Sequence, residues 1–423
     1  MNKPNHPPIL RQNASYMVFM LALVGLFNST DRVIFSVALQ SIKQEFHFSD
    51  SQLGLIGGFA FGVFYALAAL PIGWLAAKWP RRSVIALCLA LWSLFTALTA
   101  AATGFLSLFI ARMVVGIGEA GGTPLSIALI SARFPPTKRA GATSLFLVGV
   151  NIGSILGLWA TGALISHIGW RGAFLILGLP GMILALLFRF TIAEPQEPGR
   201  EIPPQWRDVI ALRHRRALVQ VTMQFIGSAL LVYGITAWSA SFYQREFGMT
   251  PSQTGFALGI VTGGANLAGS LLGGFINDRG TRRTPDAGLR ALLWMMVASL
   301  PISMAAFATH NLYLSLALLL ITSLIAGARL TILYTAQQNL TEAHLRPLGT
   351  AFVASITVLI GSGLGPVLIG TLSDFAHLAY GEHSLRVALI TFNLLTLWPI
   401  YHAHRTLRVF LADYSKLHHP VTE

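Results

Sequence analysis

The stretch Gly-Trp-Leu-Ala-Ala-Lys-Trp-Pro-Arg-Arg at residues 73–82 follows one long apolar segment of the chain. A related stretch, Gly-Phe-Ile-Asn-Asp-Arg-Gly-Thr-Arg-Arg at residues 274–283, follows another. Both share a leading glycine, a basic residue in the middle and a closing Arg-Arg pair at the same spacing. A signature that returns once, after a corresponding apolar segment, indicates internal duplication of the chain.

The composition places the apolar segments in a lipid bilayer. Hydrophobic residues make up 54% of the 423 positions, and charged residues make up 11%, whereas soluble domains carry about 25% charged residues. A soluble protein so poor in charge would expose large apolar patches and aggregate. The net charge of +13 does not indicate nucleic-acid binding, because the basic residues lie in short clusters between apolar runs, as in membrane loops.

Two further absences narrow the class of protein. The single cysteine, Cys88, excludes an intramolecular disulfide and a metal site built from cysteines. The polar, proline-rich start of the chain lacks the short apolar region of a secretory signal, so we expect no removable signal peptide.

Twelve apolar segments are long enough to cross a bilayer as helices, which takes about 20 residues each. Turn-forming or charged residues separate every neighbouring pair. The sequence therefore predicts an all-α membrane protein with twelve transmembrane helices in two pseudo-symmetric six-helix halves. The predicted spans are Tyr16–Gln40, Gln52–Ala77, Ser83–Thr103, Phe105–Ser131, Gly141–Ser166, Trp170–Phe190, Ala217–Tyr243, Ser252–Ile276, Leu289–Ala308, Leu312–Gln337, Gly349–Leu372 and Val387–His402.

A polar segment rich in proline and charge divides these spans into two sets of six. It predicts an N-terminal half over residues 1–190, a cytoplasmic linker over 191–216, and a C-terminal half with a basic cytoplasmic tail over 217–423. If the N-terminus is cytoplasmic, the basic loop residues that fall on the opposite side are only Lys43, Arg171, Arg245 and Arg386. We therefore expect a multi-pass protein of the inner (plasma) membrane with both termini in the cytoplasm.

Five charged residues lie inside the predicted spans, where an ionisable group is costly and is a candidate for function by default. Asp31 and Arg32 end a polar cluster near the middle of span one. Arg112 and Glu119 lie seven residues apart in span four, on nearly one helix face and about 10 Å apart along the axis. Arg329 stands alone in span ten.

These charges suggest a way to couple protons to movement. A carboxylate in a low-dielectric cavity resists ionisation, and a nearby arginine favours it, so a change in their distance between two conformations alters proton binding. We expect Asp31 to carry the proton, with Glu119 as the second candidate because Arg112 can lock it. The alternative is structural: the charges pair to hold the first half together, and Arg329 serves packing or reaches toward the membrane surface. Three cations against two carboxylates suit an anionic or zwitterionic substrate.

The repeated loop signature resembles the best-known motif of the major facilitator superfamily, and the resemblance covers the whole chain. Ala77 departs from the family pattern, which usually has an aspartate there that helps to latch the two halves on the cytoplasmic side. The resemblance thus implies a second-half latch through Asp278 more clearly than a first-half one. The implied gating residues are Lys78, Arg81, Arg82, Asp278, Arg279, Arg282 and Arg283.

A closer resemblance is to the Spinster branch of this superfamily. It rests on the Asp31-Arg32 pair, on the span-four run from Arg112 to Glu119-Ala-Gly-Gly, and on three shorter stretches. Those stretches are Ser51-Gln52-Leu53-Gly54-Leu55, Phe134-Pro135-Pro136-x-Lys138-Arg139-Ala140 and Gly169-Trp170-Arg171-x-Ala173-Phe174. Spinster-like carriers are associated with proton-dependent movement of lysophospholipids and sphingolipids in animals. The resemblance implies Asp31 as the protonation site, with Arg32, Arg112 and Glu119 as its conformational and substrate partners.

The resulting hypothesis is a proton-coupled secondary transporter that works by alternating access on a lysophospholipid or a sphingolipid-like amphiphile, as a monomer without a cofactor. A proton-coupled carrier of small organic anions or drugs is the alternative on the same fold, because fold does not decide substrate. An integral-membrane lipid-modifying enzyme is the alternative from another class. It is disfavoured because the twelve histidines lie in loops, tails or span ends, and because the sequence has no HExxH, GxSxG or Walker motif.

Overall fold

The structure is a computed structural model that describes residues 13–194, 215–342 and 345–418. These residues form helices and the turns between them, and no strand occurs among them. Ten helical stretches are long and apolar enough to cross a membrane. Two of those stretches, Thr137–Thr191 and Phe352–Ser415, have 55 and 64 residues, so each is long enough for two crossings. The predicted all-helical, twelve-span fold is confirmed.

The helices of the first half follow the predicted spans, most of them with longer ends. They are Ala14–Phe46, Asp50–Gly54, Ala60–Lys78, Arg81–Leu98, Phe105–Glu119, Gly122–Arg133 and Pro136–Thr191. A π-helical segment, Leu55–Phe59, joins the two parts of span two, and a 3-10 turn, Thr99–Ala101, ends span three.

The second half repeats this arrangement. Its α-helices are Arg216–Phe247, Pro251–Leu258, Ala265–Thr281, Ala287–Ala308, Leu312–Asn339, Arg346–Thr357, Gly363–Tyr380, Ser384–Phe392 and Leu397–His418. Its π-helical segments are Gly259–Gly264 in span eight and Val358–Ser362 in span eleven, and its 3-10 turns are Gly381–His383 and Asn393–Thr396.

Local chemistry explains where several helices begin and break. The Asn13 side chain accepts hydrogen bonds from the amides of Ser15 and Tyr16, which satisfies donors that the first turn of span one leaves open. Spans five and six are separated at Gly169, whose φ of 74° lies in the left-handed region that glycine adopts without strain. Span four is interrupted between Glu119 and Gly122, which makes Glu119 the last residue of the first of its two helices.

Glycines bring span five against span one. A Cβ atom added at Gly149 would lie 2.2 Å from the carbonyl oxygen of Ala22, and one at Gly153 would lie 2.2 Å from that of Leu26. Only a residue without a side chain permits this approach of two backbones. The contact continues into the polar cluster of span one, where the Thr30 hydroxyl donates to the Gly153 carbonyl at 3.1 Å.

The chain divides into two compact units that differ from the two sequence halves at two short segments. The first unit contains Met1–Phe48, Phe59–Glu201 and Thr250–Phe256, and the second contains Ser49–Gly58, Ile202–Met249 and Ala257–Glu423. The start of span two therefore packs within the second unit, and the start of span eight packs within the first. The predicted linker, 191–216, falls mostly on residues 195–214, which lie outside the described residues.

Candidate functional site

Asp31 lies in the interior of the first unit. Its side chain is 6% exposed, and one carboxylate oxygen accepts a hydrogen bond of 2.6 Å from the hydroxyl of Thr96 on span three. Thr96 is itself buried. Asp31 and Arg32 are adjacent in the chain but have different partners, because neighbouring side chains on a helix point about 100° apart.

Arg32 and Glu119 form the ion pair at the centre of this unit. The Arg32 Nε atom donates to Glu119 Oε2 at 2.8 Å, and the Glu119 side chain is fully buried. Two aromatic rings of span two face the same guanidinium: its central carbon lies 5.5 Å from the ring centre of Phe61 and 5.4 Å from that of Tyr65. These distances are typical of cation–π contacts. The ion pair thus joins spans one and four, and the rings bring span two to it.

Arg112 is buried beside this pair without joining it. The Arg112 guanidinium carbon lies 5.0 Å from the ring centre of Phe35 and 5.3 Å from that of Phe61. Its Nε and Nη1 atoms have no hydrogen-bond partner among the described residues. In the described part of the chain Glu119 makes its ion pair with Arg32, and none with Arg112. The seven-residue spacing explains this, because residues on one face that are about 10 Å apart along the axis are too distant for a direct bond.

Two glycines of span four allow the segment between Arg112 and Glu119 to pack closely against neighbouring helices. A Cβ atom at Gly116 would lie 2.5 Å from the carbonyl oxygen of Phe61, and one at Gly118 would lie 2.8 Å from the amide nitrogen of Trp92. Span four therefore touches the backbones of spans two and three directly. The glycines between the two charged residues explain how a cluster of charges can share an interior with bulky rings.

The four charges of the first unit balance in pairs. Asp31 and Arg32 come from span one, and Arg112 and Glu119 come from span four. With both carboxylates ionised, two cations face two anions; with either carboxylate protonated, one arginine is left uncompensated. In a low-dielectric interior such a change in charge is costly unless another anion arrives or the partners move. This arrangement can therefore link proton binding to a rearrangement of the cluster.

Arg329 provides the contrasting site in the second unit. It is 7% exposed, and it has neither a hydrogen bond nor an ion pair among the described residues. Its helix packs backbone to backbone against span eight, because a Cβ atom at Gly327 would lie 2.1 Å from the carbonyl oxygen of Asn266. A buried cation without a partner is costly, so the position favours an anion that comes from outside the chain.

The predicted gating residues of the first loop signature surround the start of span three. The backbone amides of Arg81 and Arg82 donate to the two carboxylate oxygens of Glu194 at 2.8 and 3.0 Å. A carboxylate at a helix N-terminus satisfies open amides and complements the helix dipole. The ammonium group of Lys78 lies 3.7 Å from the ring centre of Trp74.

The predicted gating residues of the second signature are more exposed than Arg81 and Arg82 of the first. The side chains of Asp278, Arg279, Arg282 and Arg283 are all exposed. Within the described residues Asp278 has no hydrogen bond or ion pair, and Arg279 lies 6.0 Å from the ring centre of Phe275. No group of three or more His, Cys, Asp or Glu side chains in the described part of the chain could hold a metal ion.

The sequence did not point to Thr96 or Phe35 as parts of this site. A threonine in an apolar helix often bonds to the carbonyl four residues before it, as Thr99 does to Phe95 at 2.8 Å. Thr96 instead donates to Asp31, and only the position of span one distinguishes the two cases. Phe61 and Tyr65 were among many aromatic residues of the sequence, with no signal that two arginines lie against them.

Comparisons with known proteins agree with this architecture. The profile of the Major Facilitator Superfamily matches residues 21–366. An MFS-type efflux pump of Mycolicibacterium smegmatis is 31% identical over 385 residues, which cover 88% of this chain and 87% of that protein. A probable galactarate/D-glucarate transporter of Bacillus subtilis is 26% identical over 294 residues, which cover 62% of this chain and 64% of that protein.

Solved structures match over nearly the whole length of this chain. One of them is the crystal structure of a bacterial homologue of the human lysosomal transporter Spinster, in an inward-facing and unoccupied conformation. The TM-score is 0.86 and the identity 25%, over 96% of this chain and 99% of that one. The Spinster-like resemblance drawn from spans one and four is thus confirmed.

Proposed function

This chain belongs to the Major Facilitator Superfamily and is a multi-pass membrane transporter, and we propose that it couples substrate movement to protons by alternating access. The prediction that it is a transporter and not an enzyme is confirmed by the fold and by the relatives. The observation that carries the proposal is the buried cluster of Asp31, Thr96, Arg32 and Glu119 in the first unit.

Asp31 is the proposed proton carrier. Its one described hydrogen-bond partner is the neutral Thr96 hydroxyl, which is able to donate to the ionised carboxylate and to accept from the protonated one. Glu119 is instead held by Arg32 in a direct ion pair. Protonation of Asp31 therefore breaks no direct ion pair, and it leaves the cluster with two arginines against one carboxylate.

Arg329 is the proposed contact for a negatively charged substrate group. An arginine binds carboxylate and phosphate groups through two parallel N–H donors, and such bonds are stronger in a dry interior than in water. The favoured substrate is an anionic or zwitterionic amphiphile such as a lysophospholipid or a sphingolipid-like molecule. Its support is the similarity to the Spinster homologue over most of the chain.

A small organic anion is the second candidate substrate. Its support is the relative from Bacillus subtilis, which is a probable transporter of two sugar diacids. Both candidates present an anionic group to Arg329, and they differ in whether an acyl chain accompanies it. We also propose that the basic residues of the two loop signatures act in gating and that the protein works as a monomer in the inner membrane with both termini cytoplasmic.

Transport in liposomes tests the proposal. The purified protein is reconstituted, and uptake of a labelled lysophospholipid is measured with and without an imposed pH gradient, beside a panel of sugar diacids. Asp31→Asn removes the proton site, and Asp286→Asn is the matched control, because Asp286 is also a buried aspartate but lies outside the cluster, where it pairs with Arg290.

The outcomes separate the parts of the proposal. Gradient-driven lysophospholipid uptake that disappears in Asp31→Asn and persists in Asp286→Asn supports proton coupling and the lipid substrate together. Uptake of a sugar diacid alone retains the coupling and rejects the lipid. Unchanged gradient dependence in Asp31→Asn removes Asp31 from the mechanism and makes Glu119 the next residue to test.

A further inference from the structure

Spans two and eight begin with the same local device. Ser49 and Gln52 form a capping box: the Ser49 amide donates to Gln52 Oε1 at 2.9 Å, and the Gln52 amide donates to Ser49 Oγ at 3.2 Å. Thr250 and Gln253 form the equivalent box, with distances of 3.0 and 3.2 Å. Such a box fixes the first turn of a helix. The internal duplication therefore extends to the helix starts that lie before the two loop signatures.

Both helix starts also belong to a different unit from the rest of their span. Residues Ser49–Gly58 pack in the second unit, while the chain continues from Phe59 in the first. Residues Thr250–Phe256 pack in the first unit, while the chain continues from Ala257 in the second. A π-helical segment covers the first junction and another closely follows the second, at Leu55–Phe59 and Gly259–Gly264. Such π segments often mark functional positions in helices.

Each start is seated against backbone within its unit. In the second unit a Cβ atom at Gly54 would lie 2.6 Å from the Pro366 carbonyl oxygen, and one at Gly370 would lie 2.3 Å from that of Asp50. In the first unit a Cβ atom at Gly255 would lie 2.2 Å from the carbonyl oxygen of Leu158. Contacts this close require the two backbones to match in shape, so both starts occupy defined seats.

The start of span two adds charge to its seat. Asp50 is 2% exposed. Its carboxylate accepts hydrogen bonds from both terminal nitrogens of Arg245, each at 2.8 Å, and from the Ser373 hydroxyl at 2.7 Å. The Asp374 carboxylate in turn accepts the backbone amides of Asp50 and Ser51 at 2.9 and 2.8 Å. A bidentate arginine–carboxylate pair has a specific geometry, and a second carboxylate caps the same helix start.

Within the part of the chain that the structure describes, no charged side chain bonds to the equivalent start of span eight. Pro251 stands where span two has Asp50, and the next amide, that of Ser252, donates to the neutral hydroxyl of Ser166 at 3.1 Å. The difference cannot come from the needs of the capping box, since both starts have one. The ion pair at the start of span two is therefore not needed to begin the helix, and it must have a different role.

We propose that Asp50, Arg245, Ser373 and Asp374 form a reversible latch that holds the start of span two in the second unit in one state of the transport cycle and releases it in another. The chemistry suits release, because the desolvation cost of a buried ion pair nearly offsets its attraction, and separation returns both charges to water. An apolar seat of equal area would oppose release more strongly, since it exposes hydrocarbon. The inference rests on alternating access, but its test does not measure transport.

The test follows the accessibility of a residue beneath the latch. Leu53 is fully buried in the second unit, so Leu53→Cys in a Cys88→Ser background reports whether the segment has left its seat. Proteoliposomes are treated with a membrane-impermeant maleimide, and the labelling rate is measured without substrate or gradient. The variants Asp50→Asn and Arg245→Gln each remove one partner of the pair, and Arg245→Lys keeps the charge but loses the bidentate geometry.

The matched control is Glu45→Gln. Glu45 pairs with Arg171 at the same end of the spans, but both residues belong to the first unit, and among the described residues neither has a hydrogen bond or an ion pair with the start of span two. We expect roughly tenfold faster labelling in Asp50→Asn and Arg245→Gln, an intermediate rate in Arg245→Lys, and the parent rate in Glu45→Gln.

Two outcomes would overturn the latch. One is a parent-like labelling rate in both Asp50→Asn and Arg245→Gln. The other is an equal increase in Glu45→Gln, which would show general loosening of that end of the protein. Size-exclusion chromatography of each variant identifies any that misfolds. If Asp50→Asn or Arg245→Gln misfolds, the labelling rate of Arg245→Lys is the test: a rate above the parent supports the latch, and the parent rate overturns it. Loss of proton coupling in the liposome assay would leave this labelling result untouched, so the two proposals fail separately.

Discussion

The two units treat buried charge at the middle of their spans in opposite ways. In the first unit Arg32 and Glu119 pair at 2.8 Å, Asp31 bonds to Thr96, and Arg112 lies against the same Phe61 ring as Arg32. In the second unit Arg329 is also buried, but it has no hydrogen bond or ion pair among the residues described. A set of balanced charges can rearrange internally, whereas a single cation requires an anion from outside. The comparison suggests that the first unit handles the proton and the second handles the substrate.

The largest expected effect comes from removing the proton site. Asp31→Asn keeps the hydrogen-bonding capacity toward Thr96 but cannot ionise, so gradient-driven uptake in liposomes should fall to background. Exchange of substrate across the membrane without a gradient should persist, because no proton needs to move. Loss of both activities would show that Asp31 is needed for the fold or for substrate binding, and the assignment of roles to the two units would then fail.

The next largest effect should come from Arg329→Gln. Loss of the cation leaves the substrate anion in a dry site without a partner, which costs about 2–5 kcal/mol of binding free energy. Arg329→Lys should recover part of this loss, because it restores charge without the bidentate geometry. Calorimetric titration with a lysophospholipid and with a sugar diacid measures both effects. Arg290→Gln is the control, since Arg290 is an arginine of the same unit whose side chain is 61% exposed. Unchanged affinity in Arg329→Gln would show that Arg329 does not bind the substrate anion.

A smaller effect is expected from Thr96→Val, which keeps the shape of the side chain and removes its hydroxyl. Hydrogen bonds to charged groups contribute about 1.5–3 kcal/mol, so gradient-driven uptake should slow by roughly 10- to 150-fold. Thr96→Ser restores a hydroxyl and should restore the rate. The measurement is the initial uptake rate at several external pH values. Equal rates in Thr96→Val and the parent would mean that the 2.6 Å bond to Asp31 has no part in proton transfer.

The smallest effect should come from Phe61→Leu. The ring of Phe61 faces Arg32 and Arg112 together, and each cation–π contact contributes about 0.5–2 kcal/mol depending on exposure. We expect uptake to slow several-fold, and Phe61→Tyr, which keeps the ring, to act like the parent. Leu98→Ala, at an exposed site of the same unit, controls for the loss of apolar volume. Identical behaviour of Phe61→Leu and Phe61→Tyr would show that the ring serves packing alone.

Much of the fold could be predicted because the bilayer imposes simple rules. Length and apolar composition predict the twelve spans, and Gly169 divides spans five and six where the turn was expected. The candidate charges were equally visible, because any ionisable group inside a span is exceptional. Their pairing was not visible. The spacing of Arg112 and Glu119 on one helix face made that pair attractive, but Arg32 from another helix is the residue that reaches Glu119.

The sequence by itself determined that this chain crosses a membrane twelve times, carries a duplicated loop signature, and contains five charges at membrane depth. These properties depend on composition and on spacing along a helix, which are local. The tertiary structure alone decided that Thr96 bonds Asp31, that Phe61 lies against two arginines, and that Ser49–Gly58 packs in the second unit. Each of these depends on which helices touch and at what depth, and that is set by glycine contacts between residues far apart in the chain.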